Sequence, residues 1–309
     1  MNIPETTRQR LFTHMGNKVD AFLSQIDTRL QKYIAIWQLT DISFLPAKTG
    51  TANLLFTCKS GIYGACVLKI CSPGPEVETE INCLLAYEGS SYCKLWDYNL
   101  PDNILLLEQV IPGNQLWAIS DYRERARLMA SILKGLSVKY TEQGQFPTYL
   151  SWMEGTHQKL TDMGGMDDIL FFLNTAIEIY AELKQRYNRA CLLHGDLHQE
   201  NILLNANGSY TIIDPKGVVD DPVMEPARFL MNELSWEADK IRDAVAIMSP
   251  VIGISKRDIL KSMFIDAALM HSWCMEEHFP TVEAFEAEKQ NALKTCKFVY
   301  ELLATTNGG

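Results

Sequence analysis

The chain has 309 residues and a formal net charge of -10, with 47% hydrophobic and 21% charged residues. That length allows one large domain or two ordinary ones sharing a cleft, and the composition is that of a folded protein, which excludes disorder. The acidic balance and the lack of any Lys/Arg run exclude the basic stripe of a nucleic-acid binder, and no apolar run is long enough to span a bilayer.

In chain order, the opening MNIPETTRQR has no apolar signal core, so the chain is expected to be cytoplasmic, with no membrane partner. Val19, Phe22, Ile26 and Leu30 recur at helical spacing and predict an opening amphipathic helix. Asn53–Cys58 and Gly64–Ile70 are strand-like and flank a Lys-Ser-Gly turn, which reads as a hairpin. Ser72-Pro-Gly-Pro75 breaks the chain, and Glu76–Tyr87 then reads as a helix with Ile81, Leu84 and Leu85 on one side. Asn103–Glu108 reads as a buried strand. Ile111-Pro-Gly113 is the best boundary, giving units 1–110 and 111–309. Beyond it helices are predicted near 121–138, 166–187, 237–249, 256–276 and 283–304. One β island interrupts them, Asn201–Leu204 and Tyr210–Asp214 joined by the turn Asn205-Ala-Asn-Gly208. The fold class is α+β, with a small β-rich first lobe and a larger, mainly helical second lobe.

Eight cysteines occur, at 58, 66, 71, 83, 93, 191, 274 and 296, and none forms a CxxC. They are read as reduced small hydrophobes rather than a zinc knuckle or a redox pair.

The densest polar cluster is Leu193-His-Gly-Asp-Leu-His-Gln-Glu-Asn-Ile-Leu-Leu204, and a further acid follows at Ile212-Ile-Asp214. The hairpin brings Asn201 and Asp214 to the same end of two strands, with Asp196 in the preceding loop. Phosphoryl transfer needs this kind of set. Its transition state is loose and highly charged, so catalysis is positioning and charge neutralisation. Magnesium prefers hard oxygens, which Asn201 and Asp214 offer. A carboxylate held off the metal accepts the proton of an attacking hydroxyl. A polar turn is the plainer reading. A zinc hydrolase site using His194, Asp196 and His198 is another, although no further His or Cys pattern supports it. His194 and His198 are more ordinarily loop residues that bond backbone.

His194-Gly-Asp-Leu-His-Gln-Glu-Asn201 with Ile213-Asp214 resembles the catalytic signature of the aminoglycoside phosphotransferases and their kinase-like relatives. Asp214-Pro-Lys-Gly-Val-Val219 and Asp221–Leu230 are similar to the streptomycin-phosphotransferase and hydroxyurea-kinase branch. The resemblance is specific across roughly 190–232 and implies a protein-kinase-like two-lobe fold. It implies Asp196 as base, Asn201 and Asp214 as Mg2+ ligands, and ATP or GTP as co-substrate. A lone strand lysine is ordinarily an edge or snorkelling residue. The resemblance makes Lys69 the phosphate-contacting lysine, with Glu80 on the next helix as its partner and Glu76 and Glu78 as the alternatives. Glu108 and Val110 fall in the hinge, whose backbone would bond the nucleobase. Lys48–Asn53 has one glycine, falls short of GxGxxG, and is assigned to the phosphates only as a region; a plain hairpin loop fits it equally. No Walker A motif is present. Lys216 either acts in catalysis at the phosphates or pairs with Asp220, Asp221 or Glu225.

The expected activity is transfer of a γ-phosphate to a hydroxyl of a small molecule, such as streptomycin, another aminoglycoside, or hydroxyurea. A metabolite kinase acting on a sugar, amino alcohol or amino acid is the first alternative, and a nucleotide-binding pseudo-kinase the second. A protein kinase is disfavoured because no DFG or APE stretch follows Asp214. The acidic charge suits a cationic substrate, although solubility explains it as well. Trp273 with Glu276 and Glu277 suits a guanidinium or ammonium group, against the plainer reading of a core Trp beside a solvated helix end.

Overall fold

A computed structural model describes residues 3–46, 53–88, 90–136, 138–140, 146–233 and 237–306. Of the expected phosphate-covering segment, positions 48–52 lie outside the described residues. Asn53 is described, and its side-chain oxygen accepts the Ser72 N–H.

The chain divides into two units. The first comprises residues 1–113, 205–211 and 277–279. Its opening is not one helix but three, α1 (Glu5–Met15), α2 (Val19–Ser24) and α3 (Ile26–Trp37). The first break falls at Gly16, where φ is +56° and a Cβ would come within 2.6 Å of the His278 ring, so only glycine fits, and the second falls at Gln25, between Phe22 and Ile26. The predicted apolar positions survive the break, and Val19, Phe22, Ile26 and Leu30 are all buried. They pack with a sheet of five antiparallel strands: β1 (Leu39–Leu45), β2 (Leu54–Ser60), β3 (Gly64–Ile70), β4 (Leu95–Asn99) and β5 (Ile104–Glu108), in the order β1-β2-β3-β5-β4. Lys69 lies in central β3, level with Leu55 on β2 and Leu105 on β5. The helix α4 (Glu76–Ala86) follows β3 and buries Val77, Glu80, Ile81, Cys83 and Leu84. Leu85, expected on the same side, is 44% exposed because it falls at the edge of that face.

The short strand β6 (Pro112–Gln115) comes next. The second unit comprises residues 114–204, 212–276 and 280–309. It carries α5 (Tyr122–Leu136), β7 (Val138–Lys139), α6 (Tyr149–Met163), α7 (Asp167–Lys184) and β8 (Cys191–Leu193). The neighbouring strands β9 (Ile202–Asn205) and β10 (Tyr210–Ile212) follow, then β11 (Val218–Asp220), α8 (Pro226–Glu233), α9 (Ala238–Ile252), α10 (Lys256–Cys274) and α11 (Val282–Thr305). The helices α6 and α8 were not anticipated. α6 starts on a capping box of Thr148 and Ser151, with serine where Glu or Gln usually signals one. α8 has only eight residues, too few for a clear period. β8 pairs with β7 and β11, and α10 is buried on almost every side. All eight cysteines are thiols, and seven are buried.

Candidate active site

The polar cluster begins where β8 ends. β8 is buried and pairs with β11, Leu193 opposite Val218, so residue 194 leaves a fixed strand. Gly195 turns the chain at φ +76°. A Cβ there would meet Val218 Cγ1 at 2.8 Å and the Trp152 ring at 3.1 Å, so the position demands glycine on two counts. The N–H groups of His194 and Gly195 both donate to the Glu225 carboxylate, at 2.8 and 3.1 Å. Burial pushes the Glu225 carboxyl up to about 7 against the pull of those two bonds.

His194 is fully buried, and both ring nitrogens serve backbone. Nδ1 accepts the Asp196 N–H at 3.1 Å, so Nε2 carries the proton it donates to the Ile213 carbonyl at 2.9 Å. Burial lowers its pKa to about 4. A neutral ring with both nitrogens engaged has no lone pair for zinc, which removes the hydrolase reading. His198 Nδ1 accepts the Glu200 N–H, and its Nε2 lies 3.2 Å from the Asn201 amide.

Asp196 is 20% exposed at its side chain, and Oδ1 accepts from Arg228 Nη1 at 2.7 Å. Arg228 stands on α8 and is held by a second acid. Its Nε and Nη2 donate to the two oxygens of Asp266 on α10, at 2.9 and 3.0 Å. Asp266 is 1% exposed. Burial alone would raise the Asp196 pKa, but the Arg228 and then the Lys216 charges outweigh it and hold the carboxyl below the usual carboxylate range. In the sequence each of the two is marked as a charge that would need a partner once buried, but neither partner is named. Arg228 sits in Pro-Ala-Arg-Phe-Leu and Asp266 in Phe-Ile-Asp-Ala-Ala, charges within apolar helical runs that need each other once buried.

Asn201 directs its amide nitrogen to the Asp196 carbonyl at 3.0 Å, which leaves the amide oxygen for another partner. The Ile213 N–H donates to the Asn201 carbonyl at 3.0 Å, so the hairpin sets Asn201 beside the approach to Asp214. Asp214 does not end the strand, as expected, but lies two residues past it at φ +58°, with Pro215 next. Lys216 and Gly217 then donate their N–H groups to the His194 carbonyl.

The side chain of Lys216 lies over the Trp273 ring, 4.6 Å from its centre. Each acid offered as its ion-pair partner is engaged elsewhere. Asp220 accepts from Tyr180 and Lys184, Asp221 from Arg189, and Glu225 from the loop N–H groups. Trp273 also meets Trp152 edge to face, with centroids 5.3 Å apart. Of the two acids after it, Glu276 pairs through Oε2 with Lys159 while its buried Oε1 has no hydrogen-bond partner among the described residues, and Glu277 Oε1 lies 3.8 Å from His14 Nδ1.

In the first unit, Lys69 Nζ donates to both oxygens of Glu80 at 2.7 Å, the residues being 3% and 6% exposed. The expected pair is therefore formed, rather than one with Glu76 or Glu78. At the expected hinge, the Glu108 carboxylate accepts the Lys94 N–H, and the N–H groups of Glu108 and Gln109 donate to the carbonyls of Lys94 and Ala65. Val110 lies just past β5, its carbonyl 2.7 Å from where a Cβ on Gly113 would stand.

A family model described as aminoglycoside/hydroxyurea antibiotic resistance kinase matches residues 37–277. The chain belongs to this family. It is 26% identical over 239 residues to a hydroxyurea phosphotransferase of Kitasatospora aureofaciens, covering 73% of this chain and 68% of that one. It is 20% identical over 228 residues to a streptomycin 6-kinase of Streptomyces griseus, covering 72% of each. Among solved structures, a choline kinase of Streptococcus pneumoniae superimposes with a TM-score of 0.64 at 16% identity, covering 88% of this chain and 99% of that one. A thermostable mutant of an aminoglycoside phosphotransferase superimposes with a TM-score of 0.58 at 14% identity, covering 89% of this chain and 99% of that one. The kinase-like fold expected from the signature is borne out, as is the enzyme class, a phosphotransferase with an alcohol group as acceptor. Among the described residues, no helix of this kinase is long and apolar enough to cross a membrane.

Proposed function

We propose that this small-molecule phosphotransferase moves the γ-phosphate of ATP or GTP onto a hydroxyl, with Asp196 as the base. The observation that carries the reading is the Asp266–Arg228–Asp196 chain. It fixes one carboxylate oxygen of Asp196 and leaves the other for an acceptor hydroxyl. A base held below the usual range stays ionised and takes the proton late. That suits a loose transition state, in which little negative charge has to be generated on the attacking oxygen first.

The donor set fits magnesium. The Asn201 amide oxygen and the Asp214 carboxylate are hard oxygens, Asn201 just before β9 and Asp214 two residues past β10, and the ion prefers few such ligands from protein. When bound it would neutralise phosphate charge. Lys69, aligned by Glu80, would hold the α- and β-phosphates. With the N–H groups of Glu108 and Gln109 used inside the sheet, Val110 is the hinge donor for a nucleobase. Lys216 would meet the transferring group from the Trp273 side, adding positive charge where negative charge develops.

Likeness to the hydroxyurea and streptomycin enzymes favours an acceptor of that kind, streptomycin or hydroxyurea. The likeness to a choline kinase concerns fold and keeps an amino alcohol as the second reading. Nucleotide consumption measured with streptomycin, other aminoglycosides, hydroxyurea, sugars and amino alcohols separates these classes. Stimulation by an aminoglycoside or hydroxyurea supports the first reading. Stimulation by choline or ethanolamine alone replaces it with the second.

A further inference from the structure

Apart from the loop at 194–201, α10 and α11 bring three metal-type donors together. His271 and Cys274 stand three residues apart at the C-terminal end of α10, which sets both on one helix face. Glu288 comes from the second turn of α11. A ring nitrogen of His271, the Cys274 sulfur and a Glu288 carboxylate oxygen all lie within 4.8 Å of one another. His271 is 6% exposed, and its Nδ1 has no hydrogen-bond partner among the described residues. A buried ring nitrogen without a partner is unfavourable and rare, and the ring that carries it stands in reach of two further ligand types. The catalytic reading uses none of the three.

We propose that His271, Cys274 and Glu288 bind a transition-metal ion of the zinc class, which staples α11 to α10. A mixed nitrogen, sulfur and oxygen set suits Zn2+, and three protein ligands leave a fourth position for water. A thiolate disfavours magnesium or calcium, so this site and the hard-oxygen pair Asn201 and Asp214 select different ions. On binding, the Cys274 S–H bond gives way to an S–metal bond and the proton leaves to solvent. Cys274 and Glu288 are only half-buried, which gives the ion a route in. Trp273, the ring beneath Lys216, lies between the two α10 ligands in sequence, so the ion would steady the end of α10 that carries it.

The test is titration of chelator-treated full-length protein with Co2+, a spectroscopic substitute for zinc. The expected result is one equivalent showing thiolate-to-cobalt charge transfer and the strong visible bands of tetrahedral coordination. A magnesium-type oxygen site gives neither. Cys274→Ser should abolish the charge-transfer band, and Glu288→Gln should weaken binding by at least about tenfold. Absence of the band in the wild type overturns the proposal. A band unchanged in Cys274→Ser does so too, since the ion would then sit on another of the eight thiols. If Cys274→Ser fails to fold, the half-exposed Glu288→Gln decides, and unaltered affinity in it also overturns the site.

Discussion

Asp196 is held by a cation that is itself held, and this arrangement sets what each substitution should do. Asp196→Asn keeps the size of the side chain but removes the proton acceptor. Turnover should fall by on the order of a hundred- to ten-thousand-fold, with nucleotide affinity nearly unchanged. Arg228→Met should act through pH. With Arg228 gone, the burial that raises the Asp196 carboxyl is no longer outweighed by its largest opponent. The acid limb of kcat/KM should therefore move to higher pH, while Arg228→Lys should keep the limb near its wild-type position. An acid limb identical in wild type and Arg228→Met would remove Arg228 from any role in positioning or tuning the base. If Lys216 acts at the transferring group as proposed, Lys216→Met should lower kcat with little change in nucleotide KM. A lower Tm with normal turnover per folded molecule would reduce Lys216 to a packing partner of Trp273.

At the scale of elements, the loop between β8 and β9 is fixed by Gly195 and Glu225. Gly195→Ala places a side chain at φ +76° and against Val218 and Trp152, so it should cost at least about 1–3 kcal/mol of stability by denaturant unfolding. Glu225 makes the loop sensitive to pH. Its carboxyl titrates near 4.5 ordinarily and at about 7 in the fold. A raised acid contributes stability that is fully present below the lower value and is lost as pH rises through the upper one. Wild type should therefore lose Tm relative to Glu225→Gln between about pH 4.5 and pH 7. Parallel Tm profiles across that window would contradict the assignment.

The same elements show what was legible in the sequence. The catalytic loop and the β9–β10 hairpin are local, their residues lying between 191 and 214, so one motif and one turn signal carry them. Glu80 was legible because a helix follows the strand of Lys69 at once. Arg228 and Asp266 lie 38 residues apart and meet only through the packing of α8 on α10, which no local pattern reports. The short strands β7, β8 and β11 have two or three residues each and offer no period to read. The demand for glycine at 16 comes from His278, far along the chain, so no local pattern shows it.

On the scale of the whole molecule, the net charge of -10 opposes binding to polyphosphate backbones. Duplex DNA or RNA should not bind at physiological salt, and salt-sensitive binding at low micromolar concentration would contradict this. Family membership makes the chain a phosphotransferase, and the proposed mechanism rests on the charge network around Asp196. The most direct test is acceptor-dependent product formation by wild type and Asp196→Asn, with magnesium and saturating nucleotide, read by mass spectrometry of the phosphorylated acceptor. Wild type should give a phosphate ester of the acceptor, and the variant should lose about a hundredfold or more while its nucleotide affinity persists. A variant that keeps more than about a tenth of wild-type turnover would contradict it, because loss of a positioned base cannot cost so little.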